Sequence, residues 1–308
     1  MLKDSIASPR EALLQHRSAL FESHCCAALE AVLDPWAAEF ISSPRFDQLP
    51  VDTDSPVAVV LDDRPSRLLR FSVLNTLLLG RLSMRVVVMT TTAAVVSMRD
   101  LFADLAVWVE VRVLPDDIEV LSVRSYNALL MSPSFWEALP SDHIFVFQSD
   151  GLLVEPMDFS LFEYDYIGAP WARDYVTSEV IRLYSPDLQE EVGVFCVKSA
   201  TNDIYLREGL RFGNGGMSIR NRVLMQRICA SEAIDLDEPE DLFFSRALGR
   251  YNACVPSLEV ARRFSCETVY AQSIMAHKSH RYLAPGQQAE IMDRHFKTMM
   301  SMAFASLS

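Results

Sequence analysis

Acidic residues follow two apolar runs of this sequence and are the first candidates for chemistry. Asp62 and Asp63 come directly after VAVVL, with Arg64 next, and Asp150 comes after HIFVFQ in the tripeptide Ser149-Asp150-Gly151. The carboxylates of such residues can hold a divalent cation that also binds a diphosphate, and the glycine lets a ligand approach the backbone. The alternative for the second segment is a simple turn, since Ser, Asp and Gly are all favoured in turns.

A glycine-rich segment is the next candidate. Asn214, Gly215 and Gly216 belong to GNGG, which precedes MSIR and a predicted helix. Backbone N–H groups in such a segment can face a phosphate or a sugar hydroxyl. The spacing matches neither a Walker A loop nor GxGxxG, which disfavours a P-loop NTPase or a dinucleotide enzyme. A glycine-rich hairpin turn is the alternative.

Further acids and two histidines lie towards the C-terminus. Glu240 and Asp241, in EPEDLFF, are at a predicted helix start, where capping and the helix dipole account for them. A carboxylate there can equally be a general base for an attacking hydroxyl. His277 and His280, in AHKSHRYL, are compatible with one imidazole metal ligand, although two histidines at this spacing are also common on surfaces.

Alternating strands and helices must position these residues. The apolar runs VAVVL, RVVVMT, VWVEVRVL and HIFVFQ alternate with helical patterns near residues 66–79, 93–105 and 125–139. This order predicts an α/β fold with a mostly parallel central sheet flanked by helices. Ligands bind at the carboxyl ends of the strands in such sheets, and both acidic motifs are expected there.

The outer parts of the chain are simpler. Ser8 as N-cap and Pro9 predict the start of a helix that runs to about Val32. The Pro-rich segment Asp34–Pro56 is interpreted as a connector. The polar stretch Arg173–Arg211 is interpreted as irregular and as part of the half of the domain that binds the acceptor. The predicted organisation is an N-terminal helix and connector (1–56), a main domain (57–283) and a C-terminal helix (284–308) whose helical pattern covers about 287–305.

Charge and composition exclude several classes. The net charge of −13 over 308 residues, without a Lys/Arg run, disfavours a nucleic-acid partner. No apolar stretch resembles a signal peptide or a membrane span, so we expect a soluble, cytoplasmic protein. The six cysteines are scattered and form neither a zinc motif nor a disulfide framework. The oligomeric state is not predicted.

Taken in this order, the segments resemble a family of uncharacterised glycosyltransferase-like proteins with the GT-A fold, known as a domain of unknown function. The combination of YDYIGAPW, GNGGMSIR and PEDLFF carries the resemblance, which covers residues 57 to 283. It implies inverting transfer of a sugar from a nucleotide-sugar donor, expected to be UDP-linked, to a glycan or other hydroxyl acceptor.

The resemblance also implies roles for the motif residues. Asp150 is similar to the last acid of the DxD motif, which holds Mn²⁺ or Mg²⁺ on the nucleotide diphosphate, and His277 is similar to the histidine that completes that metal site, with His280 as the alternative. The implied donor-binding residues are Asp62, Asp63, Arg64, Ser149, Asp150, Asn214, Gly215 and Gly216. In the pair Glu240-Asp241, the second acid is implied to be the catalytic base.

One position departs from the family pattern. Gln148 stands where DxD has its first acid, so a metal would be held more weakly or shared with His277 and the diphosphate. This departure leaves open a catalytically degenerate protein that only binds a nucleotide sugar. A Rossmann-type dehydrogenase or methyltransferase is less favoured, because the first strand is followed by Asp62-Asp63-Arg64-Pro65 and not by a glycine fingerprint.

Overall fold

A six-stranded sheet forms the centre of the protein. The computed structural model describes residues 9–43, 55–115, 118–170, 173–176, 180–185, 190–196 and 212–307. The strands are β1 (Val57–Leu61), β2 (Arg85–Thr90), β3 (Val109–Val113), β4 (His143–Phe147), β5 (Gly151–Leu153), β6 (Tyr166–Pro170), β7 (Arg173–Val176), β8 (Val180–Ser185), β9 (Glu190–Cys196), β10 (Phe212–Asn221), β11 (Ser265–Cys266) and β12 (Met275–His277).

The order in the central sheet is β3-β2-β1-β4-β10-β6. β1 pairs in parallel with β2 and β4, and β2 with β3, whereas β10 runs antiparallel to both β4 and β6. A second, small sheet has the order β11-β12-β5, and β7-β8-β9 form an antiparallel third. Since β5 follows β4 after a short turn, the second sheet is held close to the carboxyl end of β4.

Helices cover both faces of the central sheet. They comprise Pro9–Ala28, Asp34–Ile41, Arg67–Leu79, Val95–Leu101, Val123–Leu130, Pro133–Glu137, Arg222–Ser231, Glu240–Ala247, Leu258–Phe264, Ser279–Tyr282 and Pro285–Leu307. The apolar run of β1 is continuous because both faces of the strand are buried. Ala58 and Val60 belong to one core cluster, and Val57, Val59 and Leu61 belong to the other. The predicted α/β class, with its mostly parallel sheet and N-terminal helical extension, is confirmed.

The N-terminal helix is longer than predicted. Five residues of π-helix, Leu29–Leu33, join Pro9–Ala28 to a further helix, Asp34–Ile41, so the connector cannot begin at Asp34. Pro35, one of the prolines that favoured a connector, lies in the first turn of this second helix, directly after the π-helical residues. Ser8 and residues 44–54 lie outside the described part of the chain.

Three other segments differ from expectation. The glycine-rich GNGG belongs to strand β10 and not to a hairpin turn or a loop. The helix expected over 125–139 is two helices, which separate at Ser132 before Pro133, since a proline cannot continue a helix from within. The stretch 173–211 contains strands β7, β8 and β9, and its remainder lies outside the described residues.

The terminal helices pack on the sheet and on each other. Phe21, Trp36 and Met299 belong to the same core cluster as Ala58 and Val60 of β1. Trp36 Nε1 also donates to Ser306 Oγ at 2.7 Å. The N-terminal and C-terminal helices therefore share a core with the sheet. Along the described chain, we find no helix with the length and apolar character that crossing a membrane requires.

Candidate active site

A cleft of about 450 Å³ opens at the carboxyl end of the parallel strands. It brings together residues from the ends of β1, β4 and β12, from β10 and from the helix that starts at Glu240. Its lining includes Gln148 and nine of the predicted site residues, namely Asp62, Arg64, Ser149, Asp150, Asn214, Gly216, Glu240, Asp241 and His277. Asp63, Gly215 and His280 do not line it.

The end of β1 is held by a network of polar contacts. The carboxylate of Asp62 is buried and accepts hydrogen bonds from Arg64 N and Nε, both at 3.0 Å, and from Ser149 Oγ at 2.9 Å. The Arg64 side chain remains 77% exposed at the cleft. Asp63 instead accepts from Leu121 N at 2.8 Å, which holds the loop before helix Val123–Leu130. Asp62 therefore links the ends of β1 and β4, and Asp63 holds the backbone of Leu121, which lines the cleft.

The glycines of β10 lie where the strand leaves its regular register. Pairing with β6 shifts between Asn214 and Ser218. A Cβ atom on Gly215 would be 2.0 Å from Glu240 Oε1, and one on Gly216 would be 1.9 Å from His277 Cε1. Glycine is thus required at both positions because side chains of the protein itself approach the backbone.

Glu240 forms an ion pair that sequence reasoning did not find. Arg220, at the end of β10, donates from Nη1 to Glu240 Oε2 at 2.6 Å and from Nη2 to Oε1 at 3.0 Å. The Arg220 side chain is fully buried, and its guanidinium lies 5.2 to 5.8 Å from the ring centres of Tyr166, Phe244 and Trp136. Both carboxylate oxygens of Glu240 are occupied, which leaves Asp241 as the better placed acid of the pair.

Asp241 has the properties of a base near neutral pH. Its Oδ1 accepts from Leu242 N at 2.9 Å and its Oδ2 from Gly215 N at 3.3 Å. Burial, followed by the negative charge of Glu240, raises the pKa of Asp241 to about 7. A carboxylate with such a pKa can accept a proton from a hydroxyl group more effectively than an ordinary aspartate.

His277 lies between two carboxylates. Its Nδ1 is 3.1 Å from Glu267 Oε1 and 3.0 Å from Asn214 Oδ1, while its Nε2 is 3.3 Å from Asp150 Oδ1 and 3.1 Å from Gln148 Oε1. Burial and the neighbouring lysine lower the pKa of His277, but the hydrogen bonds to the two carboxylates outweigh them and raise it above its ordinary value. The imidazole therefore favours the form in which both nitrogens donate.

Asp150 shares these contacts with a lysine. Lys278 Nζ lies 3.2 Å from Gln148 Oε1 and 3.8 Å from Asp150 Oδ2, and Lys278 N donates to Asp150 O at 3.2 Å. Burial raises the pKa of Asp150, but Lys278 and then His277 outweigh this and hold it well below its usual range. Lys278 itself has a left-handed backbone with φ 47°.

Sequence reasoning missed Arg220, Glu267, Lys278 and Tyr126, of which the last three line the cleft. Lys278 could have been noticed because lysine is scarce in this chain, with lysines only at positions 3, 198, 278 and 297. His280, the alternative metal ligand, stacks on Phe21 with ring centres 4.4 Å apart. It contacts the N-terminal helix and not the cleft.

The Mn²⁺ or Mg²⁺ expected at Asp150 and His277 stays a prediction. Asp150 is the one carboxylate of the QSD tripeptide, Gln148 is neutral, and each ring nitrogen of His277 already faces a carboxylate. A lysine ammonium also lies against the same Asp150. A hard divalent cation prefers oxygen ligands of negative charge and would here meet a cation, so this donor set does not fit it.

Comparison with known proteins places the chain in a family. A family model described as "Protein of unknown function (DUF5672)" matches residues 108–284, which include YDYIGAPW, GNGGMSIR and PEDLFF. This match begins at Trp108, whereas the resemblance in the sequence starts at residue 57. Among curated proteins, none matches the chain.

Three solved structures show a distant likeness to this chain. The apo form of glycosyltransferase GlyE of Streptococcus pneumoniae TIGR4 is 8% identical with a TM-score of 0.42, over 82% of this chain and 63% of that one. Mouse xyloside xylosyltransferase 1 is 8% identical with a TM-score of 0.40, over 80% and 93%. The inositol-1-phosphate CTP transferase of T. maritima is 12% identical with a TM-score of 0.35, over 79% and 97%. Likeness at this level is too distant to carry a function between proteins.

Proposed function

The chain belongs to the DUF5672 family of unknown function, and we propose that it is a glycosyltransferase that moves a sugar from a nucleotide-sugar donor to a hydroxyl acceptor with inversion. The observation that carries this proposal is Asp241, a carboxylate on the cleft with a pKa near 7. The proposed donor is UDP-linked, and the acceptor is a glycan or another hydroxyl compound.

In the proposed reaction, the acceptor hydroxyl attacks the anomeric carbon of the donor sugar. A new bond forms between the acceptor oxygen and that carbon, and the bond from the carbon to the diphosphate oxygen breaks. Asp241 takes the hydroxyl proton, while the electron pair of the broken bond leaves with the diphosphate. Asp62, Arg64, Ser149 and Asp150, which meet at the carboxyl ends of β1 and β4, are proposed to bind the nucleotide side of the donor.

The Asp241→Asn variant tests the assignment. A panel of nucleotide sugars is first screened by thermal shift, because a ligand that binds the folded state stabilises it. Transfer is then measured with the donors that bind. Asp241→Asn should lose at least about 100-fold in kcat, because it removes a general base, and keep the donor affinity within about twofold.

A matched control is Asp237→Asn in the same segment. The Asp237 side chain is 83% exposed and pairs with Arg124 away from the cleft, so the same loss of charge there should leave transfer unchanged. If Asp241→Asn retained most of its turnover, the base assignment would be wrong. If nucleotide sugars bind but no acceptor is glycosylated and no donor is hydrolysed, the chain is a nucleotide-sugar-binding protein and not an enzyme.

A further inference from the structure

Lys278 provides a cation at the place where the sequence predicts a metal. Its Nζ is 3.2 Å from Gln148 Oε1 and 3.8 Å from Asp150 Oδ2, and its side chain is 27% exposed towards the cleft. The ammonium thus lies beside both ends of the QSD tripeptide, in the position between Gln148 and Asp150 that a bridging cation would take. Gln148 offers it a neutral oxygen acceptor.

The surrounding backbone fixes this position. β12 pairs antiparallel with β5, and His277 lies opposite Gly151 in that register. Lys278, the next residue, donates its N–H to Asp150 O at 3.2 Å. The lysine therefore comes from a strand end that is hydrogen-bonded to the Asp150 turn itself, and not from a separate loop.

Four of the five acids that line the cleft have basic partners among the described residues, and Asp241 is the fifth acid. The pairs are Asp62 with Arg64, Glu240 with Arg220, Glu267 with His277, and Asp150 with Lys278, and Asp150 also lies 3.3 Å from His277 Nε2. Added divalent charge is therefore not needed to balance these four carboxylates. The contact between Lys278 and Asp150 is the longest of the four pairs. Among the three basic side chains that are mostly buried, the Lys278 ammonium is therefore the one that its own acid attracts least and that an anionic ligand can bind most easily.

We propose that the Lys278 ammonium, instead of a divalent cation, binds the diphosphate of the donor and offsets the negative charge that leaves with it. This inference rests on the proposed function. When the bond from the anomeric carbon to the diphosphate oxygen breaks, the electron pair stays on that oxygen and the ammonium hydrogen-bonds to it. The acceptor proton goes to Asp241, so no metal takes part in the transfer. An ammonium is a compact charge with three donors, which suits a phosphate oxygen.

The test is calorimetry of the full chain with inorganic pyrophosphate and with UDP, each in EDTA and in MnCl₂. Both ligands should bind the wild type in EDTA with an affinity within about twofold of that in MnCl₂. Lys278→Met should weaken both by about tenfold or more, because a charge-assisted hydrogen bond is lost. Lys278→Arg, which keeps a cation, should retain most of the affinity.

Lys297→Met is the matched control, since Lys297 lies on the C-terminal helix, is 73% exposed and pairs with Asp293. It should bind both ligands like the wild type. The double variant Gln148→Asp/Lys278→Met restores the first acid and removes the ammonium. It should bind UDP at least about tenfold more tightly in MnCl₂ than in EDTA.

Several results would overturn the inference. If EDTA abolished UDP binding to the wild type, or if Lys278→Met bound both ligands normally, Lys278 would not be the counter-charge, while the glycosyltransferase proposal would stand. If pyrophosphate and UDP bound as expected but no nucleotide sugar was turned over, the proposed function would fail and the diphosphate site would stand. Failure of both ligands to bind in either buffer would refute both.

Discussion

Asp241 combines two properties that an exposed aspartate does not have together. It lines the open cleft, yet its neighbours raise its pKa to about 7, with burial as the largest cause and the charge of Glu240 next. Glu240 is fixed beside it by Arg220. The basicity of Asp241 is therefore a property of the pair and its surroundings, and it has consequences for both rate and stability.

The rate should follow the protonation of Asp241. A general base works only when it is deprotonated, so kcat/KM for transfer should rise about tenfold per pH unit below pH 7 and level off above it. The measurement is kcat/KM from pH 5 to 9 with one donor and acceptor pair, and Asp237→Asn should give the same profile. A flat profile between pH 5 and 7 would contradict the role of Asp241.

The same pKa predicts a stability effect that does not depend on turnover. Because the folded-state pKa is raised above the unfolded value, the folded state binds the proton more tightly, and this contribution is lost as the pH rises through 7. An asparagine side chain does not titrate, so the Asp241→Asn variant has no such pH-dependent contribution to its stability. The Tm of the variant relative to wild type should therefore increase from pH 5 to pH 8. A constant difference across that range would show that the pKa of Asp241 is not raised.

At the scale of elements, the Arg220 to Glu240 pair joins β10 to the helix Glu240–Ala247. Arg220 Nη2 also donates to Gly215 O at 3.3 Å, and Arg220 Nε donates to Ser218 Oγ at 2.8 Å. One buried guanidinium thus holds both the irregular part of β10 and the first turn of the helix that carries Asp241. The geometry of the base depends on this contact.

Breaking the pair from one side should be costly. Glu240→Ala leaves the Arg220 charge buried without its partner, and such a loss costs about 3–5 kcal/mol in the free energy of unfolding. The double variant Arg220→Met/Glu240→Met replaces both groups with apolar side chains and should recover most of that loss. Urea unfolding of the two variants measures the difference. A cost below about 1 kcal/mol for Glu240→Ala would mean that the pair is solvated and weak.

These elements also show what sequence patterns can and cannot predict. The alternation of strands and helices, and the placement of Asp62 and Asp150 at strand ends, depend on local periodicity and were predictable. The Arg220 to Glu240 pair was not, because β10 lies between β4 and β6 and a pattern does not specify this neighbour. Lys278 was missed for the same reason, since its place depends on the pairing of β12 with β5.

At the scale of the whole molecule, the N-terminal helix supports the segment that follows Lys278. Phe21 is buried and stacks on His280, and Arg17 donates to Leu283 O. Phe21 also belongs to the core cluster that includes strand residues of the sheet. We therefore expect the N-terminal helix and the sheet to unfold together.

Phe21→Ala tests this cooperativity. Loss of a buried phenyl ring should lower the free energy of unfolding by about 3–5 kcal/mol, and calorimetry should still show one transition. Leu20→Ala on the same helix is the control: Leu20 is 55% exposed, so its effect should stay within about 0.5 kcal/mol. A separate early transition that only Phe21→Ala shifts would show that the N-terminal helix unfolds independently.

Lys278 has a left-handed backbone, with φ 47°, at the position where the proposed diphosphate site requires an ammonium. Any residue with a Cβ is strained there, so Lys278→Gly should be about 1 kcal/mol more stable than Lys278→Met, although both lose the same charge. Chemical denaturation of the two variants measures this gap, and equal stabilities would rule the strain out. Among variants that lack the ammonium, selection for thermostability would therefore favour glycine over methionine at position 278, whereas the native lysine also offsets the buried charge of Asp150.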